Sequence, residues 1–61
     1  MLTEWPINDI AFATTDIWDI TENKCIPKGA KVEIQDHDHC ADLWIVEYDG
    51  KIYLATLEEL A

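Results

Sequence analysis

Polar and apolar residues alternate most strictly along Lys31-Val32-Glu33-Ile34-Gln35, which predicts a half-buried strand with Val32 and Ile34 facing inward. Two β-rich runs, Leu43–Tyr48 and Lys51–Ala55, flank Asp49-Gly50, the two-residue signature of a tight hairpin. With that loop Tyr48 pairs with Lys51, Val46 with Tyr53 and Trp44 with Ala55, while Glu47 pairs with Ile52 and Ile45 with Leu54. Both faces of the hairpin are then largely apolar. One face must meet a core, and the other must be covered by a curled sheet or by a partner.

The remaining segments carry weaker signals. The order Ile, Ala, Phe, Ala over residues 10–13 sets Ile10 and Phe12 on one side and suits a strand. Residues 16–21 fit a helical turn about as well as an irregular extended loop. Pro27 and Gly29 mark a turn within residues 25–30. Residues 36–42 are polar and acidic, lack strand formers and read as a loop. Thr56 and Glu59 are spaced as a capping box and predict one short helical turn. Ahead of all these, residues 1–6 form an extended arm that Pro6 makes rigid.

Four or five short strands with one helical turn, in a chain this short, point to a small closed barrel, because closure hides the strand edges. The order resembles the SH3-like barrel, in the broad sense that includes bacterial and KOW-like versions. The resemblance rests on Ile26-Pro27-Lys28-Gly29-Ala30-Lys31-Val32-Glu33-Ile34, on Trp44-Ile45-Val46-Glu47-Tyr48-Asp49-Gly50-Lys51-Ile52-Tyr53 and on Leu57-Glu58-Glu59-Leu60. It implies a mostly β fold of four to five antiparallel strands and a single domain over residues 1–61. The aromatic pairs that mark the proline-binding members are reduced here to Phe12 and Trp44, and the basic surface of the RNA-touching members is missing.

Composition narrows the function classes. With 61 residues, folding buries only about 60% of the unfolded surface, which leaves little room for a deep catalytic cavity beside a core. Apolar residues make up 49% of the chain, including three Trp, too many for a disordered tail. Thirteen Asp and Glu against four Lys and Arg give a net charge of -9. That charge disfavours nucleic acid and anionic membranes, and it permits a basic protein partner or imitation of a polyanion. The opening residues lack a basic n-region and an apolar h-region, so the expected compartment is the cytoplasm. In that compartment Cys25 and Cys40 are expected as reduced thiols.

Candidate chemistry is sparse. His37, His39 and Cys40, with Cys25 as a fourth ligand, are the residues that zinc would accept, but their spacing matches no paired zinc signature, and a solvated acidic turn is the simpler reading. The two imidazoles among carboxylates also suit a pH-sensitive loop. No Ser is present, and Gly29 and Gly50 are too far apart to cradle a phosphate, so neither an enzyme nor a cofactor is expected. Trp44, Tyr48 and Tyr53 share one hairpin face and, with Trp18, are candidates for a binding surface or for the core. The acids Asp16, Asp19, Asp36, Asp38 and Asp42 are candidates for an acidic docking patch.

These features make a non-enzymatic interaction module the leading expectation, with a protein partner that carries a basic surface. The small size suits a phage or mobile-element modulator of a host protein. A DNA-mimic inhibitor of a basic nucleic-acid-binding protein and a metal-stabilised minidomain are the alternatives. Self-association through the apolar hairpin face, giving a homodimer, is a further expectation.

Overall fold

The computed structural model describes residues 5–61, and the first four residues of the expected arm lie outside them. The described chain is mostly β. Strands β1 (Ile10–Phe12), β2 (Ile17–Asp19), β3 (Lys24–Ile26), β4 (Lys31–Asp38), β5 (Leu43–Tyr48) and β6 (Lys51–Ala55) precede a single 3-10 turn, η1, at Leu57–Glu59. They divide into a four-stranded antiparallel sheet ordered β1-β4-β5-β6 and a two-stranded sheet of β2 and β3.

The β5–β6 hairpin has the register that the Asp49-Gly50 loop dictates, from Tyr48 opposite Lys51 to Trp44 opposite Ala55. Asp49 and Gly50 both take positive φ, 52° and 77°, which is the type I′ turn that matches the twist of the flanking strands. Val46 and Ile34 face each other on the inward side and are fully buried, as are Val32, Ile17 and Ile26. Each such side chain contributes about 1.5–3 kcal/mol through burial.

Two local expectations are corrected. Residues 16–21 and 24–26 form a second hairpin in place of a helical turn or loop, with Ile17 opposite Ile26 and Trp18 opposite Cys25. Its tip is set by the Asp19 carboxylate, which accepts the Thr21 N–H at 3.0 Å, and by Asn23 at positive φ. Strand β4 continues through Asp38, so the expected 36–42 loop shrinks to residues 39–42. Asp36, His37 and Asp38 are held in the ladder by Ile45, Trp44 and Leu43, after a register shift at Gln35. β1 is the strand that the alternation predicts, with Ile10 and Phe12 on one side; that side faces out and Ala11 faces the core. The phase is set by β4: Ala11 lies opposite Val32, and directly opposed residues share a face.

The chain end returns to the first strand. Ala13 bridges Leu60, Phe12 exchanges two hydrogen bonds with Ala61 at 2.9 and 2.8 Å, and Thr14 N–H donates to the Glu59 carbonyl at 2.9 Å. Within η1 the Glu59 carboxylate accepts the Thr56 N–H at 2.9 Å, the backward arm of the capping box.

Candidate functional site

The aromatic candidates separate by burial. Trp44 and Tyr53 project from the inward face of the β5–β6 hairpin and are 3% and 5% exposed, so they are core residues and not a contact surface. Tyr48, beside Tyr53 at 6.4 Å between ring centres, is half-buried on the same side. Trp5 closes the opposite end of this core edge-on to Trp44, at 5.1 Å. Trp18 is the outlier at 57% exposed. The core is small, and the wide rings at residues 5, 44 and 53 share it with the aliphatic side chains of Ile17, Ile26, Val32, Ile34, Val46 and Leu60 and with Ala11, Ala13 and Ala55.

Trp18 is not alone on the surface. Ile20 at the hairpin tip is 88% exposed, and Ile52 and Leu54 on the outward face of β6 are 49% and 57% exposed. With Asp19 and Thr21 these side chains border one groove of about 370 Å³ between the β2–β3 hairpin and β6. The cross-strand neighbours of Ile52 and Leu54 are Glu47 and Ile45. Ile20, Ile52 and Leu54 escape recognition as site residues when the sequence is read for aromatics alone. The apolar Ile45–Leu54 pair on the second hairpin face is the signal that points to them.

The groove is framed by one cation. Lys51 Nζ donates to Asp19 at 2.7 Å and to Glu22 at 2.6 Å, and it lies 5.2 Å from the centre of the Tyr53 ring. The bond from Lys51 holds the Asp19 carboxyl below its ordinary range, and the two carboxylates push the Lys51 ammonium up. Burial pushes the Tyr53 phenol up. A two-stranded ribbon is marginal on its own; burial of Ile17 and Ile26 together with the Lys51 staple fixes this one against β6.

The acidic candidates have local partners. Asp16 accepts the Lys28 N–H at 2.9 Å, Asp36 accepts the His37 N–H at 2.8 Å, and Asp38 accepts the N–H groups of Cys40 and Ala41 at 3.0 and 3.2 Å. Asp42 takes positive φ at the end of the β4–β5 turn and lies 3.3 Å from His37 Nε2. Asp16, Asp38 and Asp42 therefore shape turns, Asp36 lies within strand β4, and only Asp19 borders the exposed apolar groove.

The metal candidates are only partly brought together. His37 stacks on the Trp44 ring at 4.0 Å, and His39 meets His37 at 4.2 Å between ring centres. Both line a second groove, of about 630 Å³, with Trp5, Pro6 and Ile7. Cys40 is exposed in the turn, whereas Cys25 is half-buried in β3 beside Tyr48 and Lys51, in a different groove. Among the described residues no three His, Cys, Asp or Glu side chains converge as a metal site. The four candidate ligands are split because β3 and the β4–β5 turn belong to different sheets. Both thiols are free, and no helix among the described residues is long and apolar enough to cross a membrane.

Compared with protein-family models, with curated proteins and with solved structures, the chain matches none.

Proposed function

We propose that this chain is a non-enzymatic interaction module on an SH3-like barrel, and that Trp18, Ile20, Ile52 and Leu54 form its working face. The observation that carries the reading is this group of four large apolar side chains, all about half exposed or more, around one groove. Contiguous apolar surface of this kind costs solubility and marks contact sites in small soluble domains. The acidic remainder of the surface, net charge -9, suits a partner with basic groups around an apolar centre.

The barrel reading is supported by the order of parts. A hairpin stands between β1 and β4, a tight turn joins β5 and β6, and the 3-10 turn η1 brings residues 59–61 back onto β1. Neighbouring strands run from β1 through β4 and β5 to β6, and the chain end then returns to pair with β1.

The reading is tested by affinity capture from a lysate of the source organism, with wild type and a folded Trp18→Ser/Leu54→Ser variant washed in parallel at low and high salt. A partner retained at high salt by wild type and lost by the variant is the expected result. Capture unchanged by the two substitutions overturns the assignment of the face. Loss at high salt together with displacement by DNA replaces it with polyanion imitation.

A further inference from the structure

We infer that the outer edge of β6 is a strand-addition site, which takes an extended segment of a partner protein with apolar and basic residues in alternation. This rests on the interaction-module reading and supplies its mode of contact and the chemistry of its partner.

The inference starts from the phase of the hairpin ladder. Residues that flank a two-residue type I′ loop exchange both backbone hydrogen bonds, and such pairs alternate with pairs that exchange none. Tyr48–Lys51, Val46–Tyr53 and Trp44–Ala55 are therefore the bonded pairs. The N–H and C=O groups of Ile52 and Leu54 point the other way, to the outer edge of β6. No strand pairs with β6 on that side, and no hydrogen bond of Ile52 or Leu54 to another element occurs among the described residues. Two donors and two acceptors are thus aligned along the groove that Trp18 and Ile20 border.

Sheet edges left open in stable proteins are ordinarily blunted by proline, a bulge or a free lysine. β6 has no proline and its register with β5 is unbroken. Its lysine, Lys51, is turned into the Asp19 and Glu22 carboxylates. The edge makes no ladder hydrogen bond, with the β2–β3 hairpin packed beside it, and its side chains differ by face. Ile52 and Leu54 project on one side, and Lys51 with its two carboxylates lies on the other. An added strand presents alternate side chains to these two sides, so apolar residues meet Ile52 and Leu54 while basic residues meet Asp19 and Glu22. Charge also selects between a basic partner and a second copy, since a second copy brings another -9 to the same edge.

The test is a titration of the isotope-labelled full chain with a capped hexapeptide of alternating valine and lysine, followed by amide and indole shifts. The expected result is saturable shifts at the Ile52 and Leu54 amides and the Trp18 indole. Methylating the edge-facing backbone nitrogens of the peptide weakens binding roughly tenfold or more, because its hydrogen bonds are lost. Leu54→Pro, which removes one edge donor and no ladder bond, weakens it comparably while the chain stays folded. Equal binding of the methylated peptide overturns strand addition and leaves the apolar face of the preceding section standing. Equal binding of a glutamate-for-lysine peptide, shifts confined to the His37 groove, or no binding at all also overturns it. A peptide-free dimer that Leu54→Pro dissolves assigns the edge to a second copy and overturns the choice of partner.

Discussion

Two proline substitutions one residue apart have opposite expected consequences. The Ala55 N–H belongs to a bonded pair with Trp44, and Ala55 is fully buried. The Leu54 N–H points to the open edge, and Leu54 is more than half exposed. Proline at residue 55 deletes a ladder bond and forces a ring into filled space; an unmade buried bond and overpacking together cost about 3 kcal/mol or more. A chain of 61 residues has a total stability of roughly 3–9 kcal/mol, so Ala55→Pro removes a third of it at least and all of it at the lower end. Leu54→Pro removes a donor that bonds nothing in the fold. Its stability is expected within about 1 kcal/mol of that of Leu54→Ala, as befits an edge position. Urea melts followed by the fluorescence of Trp5 and Trp44, both buried, read the two variants against wild type. Equal losses for the two prolines, or a larger loss at residue 54, refute the ladder phase and with it the open edge.

Three further outcomes follow from individual contacts. Gly50→Ala costs about 1 kcal/mol in a urea melt, because nothing lies within 4 Å of the added Cβ and only the positive φ of 77° is strained. A loss of several kcal/mol there indicates a contact other than backbone strain. Trp44→Ala costs about 3–5 kcal/mol and yields a chain unfolded or close to it by circular dichroism, whereas Trp18→Ser melts near wild type; a reversal of that order contradicts the assignment of core and surface. Lys51→Met lowers the melting temperature at neutral pH by releasing the β2–β3 hairpin. Because the Asp19 carboxyl is held below its ordinary 3.8 in the fold, its contribution is full above that value and is lost as pH falls through its folded value. Wild type and Lys51→Met therefore converge as the carboxylates protonate in acid, and a gap that stays constant as pH falls shows that the staple is not electrostatic.

How far the sequence was legible depends on how local each determinant is. The β5–β6 register follows from Asp49-Gly50 alone, since two successive residues at positive φ admit one turn type, and all five pairs read from it occur. The capping box at Thr56 and the alternation of Val32 and Ile34 are equally local. Other features depend on partners distant in the chain. Period-two alternation places Ile10 and Phe12 together but does not say which face is inward; Val32, twenty-one residues beyond Ala11, decides that. Asp36, His37 and Asp38 have little strand preference and are extended only because Leu43, Trp44 and Ile45 pair with them. The second hairpin was hidden for the same reason, as its strands have three residues each and are fixed by burial of Ile17 and Ile26 and by Lys51. For the site, the apolar outer face of β6 was legible as a surface in need of cover. Aromatic content pointed to Trp44 and Tyr53, which the core absorbs, because one-dimensional pattern does not distinguish a large core residue from a large contact residue.

Residue-resolved amide hydrogen exchange tests the open, functional edge of β6 most directly, in the isolated chain and again in complex with the captured partner. In isolation the Ile52 and Leu54 amides are expected to exchange fast, close to an exposed loop, while those of Tyr53 and Ala55 are protected by the ladder. In the complex the Ile52 and Leu54 amides slow by at least tenfold. Protection of both amides in the isolated chain, or their continued fast exchange with the partner bound, contradicts the assignment of this edge as the contact.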